Sequence, residues 1–202
     1  MRRSAPVLGG IFVGGKASRM GGVAKGLLLA PDGERIVLRT RKLFADVGLP
    51  CVLVGAHPAY RDLGIEVLAD DPAAAGPLGG ILALLDRAGQ AGLASAIAIA
   101  CDMPFVDREL LRRLVDAPPA PVVAPRRRDH ERERDVWEPL FARYDVSISP
   151  AARAFASAGK GKLQVLLDLV GAEALALGPA EEATLADWDF LPLDETRGSR
   201  GT

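Results

Sequence analysis

Reactive side chains of several kinds are scarce in this chain of 202 residues. The two cysteines, Cys51 and Cys101, lie in apolar runs, which is typical of small buried residues rather than of a disulfide or a nucleophile. The two histidines, His57 and His130, lie far apart in predicted loops and do not indicate a metal site. The sequence has no Ser-His-Asp or Cys-His arrangement that would supply an activated nucleophile. Covalent catalysis through a side chain is therefore not indicated.

The chain also lacks an excess of charge and a long hydrophobic run. Its 25 basic and 26 acidic residues give a formal net charge of −1, whereas a general nucleic-acid binder would show a basic excess. No apolar run reaches the roughly 18 residues of a membrane span. Glycines also interrupt the apolar segment that follows Arg2 and Arg3, so this segment does not resemble a secretion signal. We therefore expect a cytoplasmic protein without nucleic-acid or membrane partners.

Short apolar runs alternate with helical patterns over the first two thirds of the chain. The predicted strands are Val7–Val13, Cys51–Val54, Ile65–Leu68, Ala96–Ala100 and Pro121–Ala124. The predicted helices are Val37–Val47, Leu78–Arg87 and Glu109–Val115, with Asp107 as the N-cap of the third. Because the strands are almost continuously apolar, we expect βαβ units on a mostly parallel sheet covered on both faces.

The remainder of the chain has too few apolar residues for an independent core. Its periodicity predicts a strand, two helices and a strand at Trp137–Tyr144, Ala151–Ala158, Leu163–Val170 and Glu173–Leu177. We expect these elements to complete one domain over residues 1–194, followed by a polar tail over residues 195–202.

A glycine-rich segment with two cations follows the first predicted strand. It reads Gly14-Gly15-Lys16-Ala17-Ser18-Arg19-Met20-Gly21-Gly22-Val23-Ala24-Lys25. Glycines let backbone N–H groups approach an anion closely, and Arg19 and Lys25 add positive charge there. The spacing matches neither the Walker loop nor the dinucleotide fingerprint. We interpret the segment as a phosphate-binding loop, and the alternative is a solvated surface loop.

An aspartate follows the fourth predicted strand, in the sequence Cys101-Asp102-Met103-Pro104. Open α/β sheets bind ligands beyond the carboxyl ends of their strands, which is where Asp102 is expected. A short carboxylate side chain suits a Mg²⁺ ion that keeps most of its waters and also binds phosphate oxygens. The alternative is an aspartate that only caps a helix or starts a turn.

Asp70 and Asp71 end the third predicted strand in the same manner. One of them could bind a base or a ribose, and the other could start a turn, since Asp before Pro is common in turns. A helix then opens with Gly76-Pro77-Leu78-Gly79-Gly80. These glycines would serve either close approach of a ligand or tight packing of the helix.

A run of charged residues interrupts the apolar pattern between Pro125 and Asp135. Such a run predicts a solvated loop. The functional alternative is a mobile flap in which Arg126, Arg127 and Arg128 meet an anionic substrate.

Phosphoryl or nucleotidyl transfer fits this inventory of side chains. In that chemistry an anionic phosphate is already the nucleophile, and catalysis consists mainly of positioning and charge neutralisation. Charge-assisted hydrogen bonds from Arg19, Lys25 and loop amides, at about 1.5–3 kcal/mol each, could together accelerate the transfer by several orders of magnitude.

These motifs together resemble the molybdenum cofactor guanylyltransferases, a family within the wider group of molybdopterin and sugar-phosphate nucleotidyltransferases. The resemblance is carried by the glycine-rich segment, by Asp70-Asp71, by Gly76-Pro77-Leu78-Gly79-Gly80 and by Cys101-Asp102-Met103-Pro104. It extends to Glu138-Pro139-Leu140-Phe141-Ala142 and to the helix around residues 161–170, so it covers most of the chain.

The resemblance implies a Rossmann-like, three-layer α/β/α fold of the nucleotide-diphospho-sugar transferase type. It implies that Mg²⁺-GTP donates GMP to the terminal phosphate of molybdopterin carrying molybdenum, and that pyrophosphate leaves. The implied site residues are Phe12, Val13, Gly14 and Gly15 along the nucleotide, Lys25 and Arg19 at its phosphates, Asp70 or Asp71 at the nucleoside, and Asp102 as the Mg²⁺ ligand.

The chain departs from the family pattern at three places. Phe12-Val13 replaces Leu-Ala before the two glycines, and Gly55 replaces a polar residue after the second strand. The late motif reads Leu193-Asp194-Glu195-Thr196, where Asp194 could be a second metal ligand or a solvated residue.

Three other functions stay open at this point. One is a cytidylyltransferase for the same cofactor or for another small phosphate. Another is a nucleotide-binding adaptor, without turnover, that docks on molybdoenzyme maturation proteins. The third, a dehydrogenase, is disfavoured by the spacing of the glycines.

Overall fold

The structure is a computed structural model and describes residues 7–14, 24–30, 32–74, 76–129 and 133–185. Its strands are β1 Val7–Phe12, β2 Cys51–Val54, β3 Val67–Leu68, β4 Ser95–Ala100, β5 Val122–Asp129, β6 Arg134–Trp137, β7 Phe141–Asp145 and β8 Glu173–Leu175. Its α-helices are α1 Ile36–Asp46, α2 Pro77–Gln90, α3 Arg108–Asp116, α4 Ser149–Ser157, α5 Leu163–Leu169 and α6 Pro179–Thr184. Short 3-10 helices lie at Lys25–Leu27, Pro58–Leu63 and Val146–Ile148. Within these residues, no helix is both long and apolar enough to cross a membrane.

The strands form one sheet in the order β3-β2-β1-β4-β7-β5-β6, with β8 paired to β5. β1 lies at the centre of the parallel half, between β2 and β4, and β2 pairs in parallel with β3. β7 is antiparallel to both β4 and β5, and β6 is antiparallel to β5. Among the described strands only β6 and β7 therefore run against the common direction. The prediction of a mostly parallel sheet is confirmed.

Helices cover both faces of the sheet, as the apolar character of its strands predicts. All residues of β1 and β4 are buried, which leaves neither strand with a solvent-facing side. One hydrophobic cluster joins the sheet to α2, α4 and α5, and a second joins it to α1 and α3. This arrangement is the predicted three-layer α/β/α architecture. The prediction that residues 1–194 form one domain stays a prediction, because residues 186–202 lie outside the described part of the chain.

The predicted elements of the first half are confirmed to within a few residues. β1, β2 and β4 and helices α1 to α3 lie where the periodicity places them, and the Asp107 carboxylate accepts a hydrogen bond from the Leu110 amide at 2.8 Å. β3 is shorter than predicted, because only Val67 and Leu68 pair with β2 at the edge of the sheet.

The prediction of a solvated loop for the charged run is wrong. Residues 126–129 of β5 pair with residues 134–137 of β6 in an antiparallel hairpin. Side chains also contact each other across the hairpin, since Arg126 lies over the Trp137 ring at 5.0 Å and Arg128 pairs with Asp135 at 3.7 Å. Periodicity could not show this, because charged residues on both faces leave no apolar alternation.

The strand predicted for Trp137–Tyr144 is also wrong in its bounds. The chain ends β6 at Trp137, turns through residues 138–140 and starts β7 at Phe141. The Phe141 amide donates to the Glu138 carbonyl at 3.1 Å, which closes this turn. Two apolar segments that meet at a tight turn read as one continuous run in the sequence.

A buried arginine joins the antiparallel half of the sheet to α3. Arg143 of β7 is 7% exposed, and its guanidinium donates to the carbonyls of Leu114, Val115 and Ala117 at 3.1, 2.8 and 2.8 Å. These carbonyls belong to the last turn of α3 and the residue after it, where the helix itself supplies no donors. Burial lowers the pKa of Arg143, but its ordinary value is so high that the side chain stays charged.

We predict that Arg143→Met lowers the free energy of unfolding by about 2–3 kcal/mol, because it leaves several buried carbonyls without a donor. Urea denaturation measures this change. The matched control is Arg112→Met on the exposed side of α3, which we expect to change stability by no more than about 0.5 kcal/mol. Equal stability of the two variants would contradict the role given to Arg143.

Candidate functional site

The candidate site lies at the edge of the sheet where the parallel strands end. The Cys101 amide donates to the Phe12 carbonyl at 3.0 Å, and the Val13 amide donates to the Val54 carbonyl at 2.9 Å. The Gly55 amide donates to the Leu68 carbonyl at 2.9 Å. The pairing of these strands therefore continues one residue past β1, β2 and β4. As a result, the segments that follow them start at the same edge.

Lys25 and Asp102 lie together at this edge. The Lys25 Nζ is 3.9 Å from the Asp102 Oδ2, and the two side chains are 33% and 28% exposed. Such a partly exposed pair contributes about 1 kcal/mol or less, so a phosphate can compete for the lysine at little cost. The end of the glycine-rich segment and the end of β4 thus contribute opposite charges to one site.

Tyr60 and Cys101 fix the backbone next to Lys25. The Gly26 amide donates to the Tyr60 hydroxyl at 3.1 Å, and both residues are buried. A Cβ on Gly26 would lie 3.0 Å from this hydroxyl and 3.3 Å from the Cys101 Cβ. Burial raises the pKa of Tyr60 to about 12, so the hydroxyl is neutral near pH 7.

Sequence reasoning missed Tyr60 as part of this site. It lies in the 3-10 helix Pro58–Leu63, a segment too short to show an apolar periodicity. Its partner Gly26 is 34 residues away in the chain. No local pattern connects two residues at that separation.

The prediction of buried cysteines is confirmed for Cys101, whereas Cys51 is half-buried and packs against the core. Cys101 is buried, and burial raises the pKa of its thiol to about 12, so a thiolate is not available near neutral pH. Burial also raises the pKa of Cys51. The His57 Nδ1 accepts a hydrogen bond from the Ala59 amide at 3.2 Å and caps the 3-10 helix that follows it. His130 lies outside the described residues.

Asp70 and Asp71 have different surroundings. The Asp71 carboxylate accepts hydrogen bonds from the Ala73 amide at 2.8 Å and from Arg153 at 2.9 Å, and both lower its pKa. Asp71 therefore starts a turn and binds α4. Asp70 instead faces the glycine-rich segment, since a Cβ on Gly14 would lie 3.8 Å from its Oδ2. Partial desolvation raises the pKa of Asp70, as expected for a carboxyl near other protein groups.

The residues at the end of β1 present backbone rather than side chains to the site. Phe12 and Val13 are buried in the two different hydrophobic clusters, one on each face of the sheet. A Cβ on Gly80 would lie 2.7 Å from the Phe12 ring, so this glycine serves the packing of α2 against β1. Gly14 is exposed at the edge, whereas Gly15 and Arg19 lie outside the described residues.

Gly55 has a structural reason to lack a side chain. Its φ is +102°, and a Cβ there would lie 2.6 Å from both the N and the Cα of Gly14. The segments after β1 and β2 therefore come closer together than any side chain at position 55 allows. The polar residue that the family pattern has after the second strand could not be accommodated in this arrangement.

We predict that Gly55→Ala lowers the free energy of unfolding by about 2 kcal/mol more than Gly48→Ala does, because it adds overpacking to backbone strain. Gly48 is the matched control, since its φ is also positive, at +76°, and a Cβ there would meet nothing within 4 Å. Thermal and urea denaturation of both variants measure the difference. Equal losses would mean that Gly14 can move away without cost.

Comparison with known proteins agrees with this geometry. A protein-family model described as "MobA-like NTP transferase domain" matches residues 9–174. A molybdenum cofactor guanylyltransferase of Pasteurella multocida is 33% identical over 160 residues, which are 76% of this chain and 79% of that protein. A molybdenum cofactor guanylyltransferase of Cupriavidus taiwanensis is 32% identical over 165 residues, which are 78% of this chain and 80% of that protein.

Solved structures show the same fold. Molybdopterin-guanine dinucleotide biosynthesis protein A from Archaeoglobus fulgidus superposes with a TM-score of 0.64 at 22% identity, over 83% of this chain and 82% of that one. The resemblance noted in the motifs is thereby confirmed. Since the family match covers most of the described chain, the protein is a nucleotidyltransferase that belongs to the family of MobA-like NTP transferase domains, together with the molybdenum cofactor guanylyltransferases.

Proposed function

We propose that this chain transfers GMP from GTP to the terminal phosphate of molybdopterin carrying molybdenum and releases pyrophosphate. The observation that carries the proposal is the position of Lys25 beside Asp102, at the edge where the glycine-rich segment leaves β1. The names of the two relatives described above support the choice of guanylyl transfer.

The proposed reaction is an exchange of one phosphorus–oxygen bond for another. An oxygen of the acceptor's terminal phosphate attacks the α-phosphorus of GTP, and the bond from this phosphorus to the oxygen that bridges to the β-phosphate breaks. The acceptor phosphate is ionised near neutral pH, so the attack needs no side-chain base. Lys25 neutralises the negative charge that develops on the phosphates, and the sequence resemblance adds the backbone N–H groups of the glycine-rich segment.

Magnesium belongs to this proposal, with Asp102 as its protein ligand. Mg²⁺ binds few carboxylates, keeps several waters and takes phosphate oxygens as further ligands. Among the described residues, no group of three or more His, Cys, Asp or Glu side chains could hold a metal. A single carboxylate at the end of β4 fits an ion that arrives with the triphosphate. When bound, the ion would neutralise charge on the phosphates of GTP.

The nucleoside contact falls to Asp70 in this proposal. Asp71 is already held by Arg153 and the Ala73 amide, whereas the carboxylate of Asp70 faces Gly14. A carboxylate accepts hydrogen bonds from ribose hydroxyls or from base N–H groups. Arg19 and Gly15 complete the phosphate site in the proposal, on the strength of the sequence resemblance alone.

We predict that Asp102→Asn lowers kcat for GMP transfer by about 100-fold or more, because the charged oxygen that holds the metal is lost. Pyrophosphate release from GTP with molybdopterin measures this change, and calorimetry measures the magnesium dependence of GTP binding. The matched control is Asp46→Asn, an exposed aspartate at the end of α1, before β2 begins and so toward the opposite edge of the sheet. Equal rates in wild type and Asp102→Asn would remove Asp102 from the mechanism.

We predict that Tyr60→Phe raises KM for GTP by about three- to tenfold with a smaller effect on kcat, because one neutral hydrogen bond to Gly26 is lost. Tyr60 is a positioning residue in this proposal, since it acts on the backbone next to Lys25. Steady-state kinetics with GTP as the varied substrate measures the effect. An unchanged KM would show that Cys101 and the chain itself suffice to place Lys25.

Two alternatives are tested by nucleotide competition and calorimetry. Tighter binding of CTP than of GTP would indicate a cytidylyltransferase. The fold is compatible with this alternative, because 2-C-methyl-D-erythritol 4-phosphate cytidylyltransferase from Thermus thermophilus superposes on this chain with a TM-score of 0.61 at 19% identity. GTP binding without pyrophosphate release would indicate an adaptor. The cytoplasmic location and the maturation partners stay predictions from the sequence.

A further inference from the structure

A cavity lies beside the candidate site, between the β6–β7 turn, the start of α2 and α5. Its volume is about 510 Å³, a size that suits a small organic ligand. Its lining includes Pro77, Leu140, Arg134, Lys162, Gln164 and Asp168. None of the residues that the proposed function assigns to GTP is part of this lining.

The cavity lies close to two residues of the candidate site, Asp102 and Asp70. The Ala100 amide donates to the Leu140 carbonyl at 2.8 Å, and Asp102 follows Ala100 by two residues. On the other side of the cavity, Pro77 starts α2. Gly80 of this helix lies beside Asp70, since a Cβ on Gly80 would be 3.2 Å from the Asp70 Oδ1. The cavity is therefore next to the sheet edge that holds Asp102 and Asp70.

Two cations from different elements line the cavity. Arg134 starts β6, Lys162 precedes α5, and both are exposed. The one carboxylate of the lining, Asp168, accepts the indole N–H of Trp137 at 2.8 Å. The net charge of the lining is positive, which favours an anion.

Three other arginines in the described part of the hairpin contact neighbouring side chains. Arg126 lies over the Trp137 ring, Arg127 pairs with the buried carboxylate of Glu138, and Arg128 pairs with Asp135. Of the hairpin arginines that the structure describes, only Arg134 is part of the cavity lining.

A hydrogen-bond network gives the cavity a fixed wall. The Gln164 amide accepts from the Trp137 backbone N–H at 2.8 Å and donates to the Trp137 carbonyl at 2.7 Å. This pair of hydrogen bonds connects α5 to β6. Lys162, which precedes α5, and Arg134, which starts β6, therefore belong to two elements that are fixed to each other. Pro77, Leu140 and Val165 supply an apolar surface beside the two cations. Such a lining suits a ligand with a ring body and an anionic group.

We infer that this cavity binds the acceptor of the transfer reaction, a phosphorylated ring compound whose phosphate is attracted by Arg134 and Lys162. This inference rests on the proposed function, because it assigns the second substrate of the same reaction. The apolar wall receives the ring system, and the two cations direct the phosphate toward the edge with Asp102.

The first test compares the kinetics of four variants with GTP and molybdopterin. Arg134→Ala and Lys162→Ala should each raise KM for molybdopterin about tenfold and leave KM for GTP unchanged, because each removes a charge-assisted contact. The matched controls are Arg128→Ala on the same hairpin and Lys160→Ala, whose ammonium lies over the Phe155 ring. Both controls should behave as wild type. Unchanged KM values in all four variants, or a raised KM for GTP, would overturn the inference.

The second test measures binding without turnover. Trp188 lies outside the described residues, and Trp188→Phe leaves Trp137 as the single tryptophan of the chain. Trp137 hydrogen-bonds Gln164 and Asp168, two residues of the cavity lining. Molybdopterin alone should quench its fluorescence in a saturable way, and Lys162→Ala in this background should weaken that binding about tenfold. If molybdopterin binds here but GMP is not transferred, the proposed function fails and the cavity assignment stands. Absence of quenching would refute the cavity assignment even if transfer occurs.

Discussion

The parallel pairing of β1 with both β2 and β4 is the constraint on which the site depends. Parallel strands end at the same edge of a sheet, so three segments that are distant in the sequence meet there. Backbone bonds from Val13 to Val54 and from Cys101 to Phe12 continue this pairing up to the site. The positions of Gly14 and Asp102 therefore follow from the pairing of the strands. Of the three residues, only Lys25 is positioned by a connecting segment.

Close contact within this edge limits which residues can occupy it. Gly55 approaches the Gly14 backbone so closely that no side chain fits between them. Tyr60, in the segment that follows β2, binds the Gly26 amide and thereby couples the second strand to the residue beside Lys25. The charged groups consequently lie on a buried, hydrogen-bonded support, and such a support lowers the cost of ordering them around a triphosphate.

The antiparallel half of the sheet adds a second surface to the same edge. β7 runs against β4, so the turn before β7 comes next to the residues after β4. This reversal places Leu140 close to the end of β4 and brings the β5–β6 hairpin and α5 to the edge. A sheet with only parallel strands would have needed a long crossover at this point and would not have formed the cavity there.

The sequence by itself determined the first half of the fold and the positions of Gly14, Lys25 and Asp102. Those features depend on local periodicity and on the rule that ligands lie beyond strand ends. Only the tertiary structure decided that β7 is reversed, that the charged run pairs as a hairpin, and that Asp71 binds α4 while Asp70 faces the site. The physical reason is that each of these features depends on contacts between segments far apart in the chain, which leave no periodic trace in either segment.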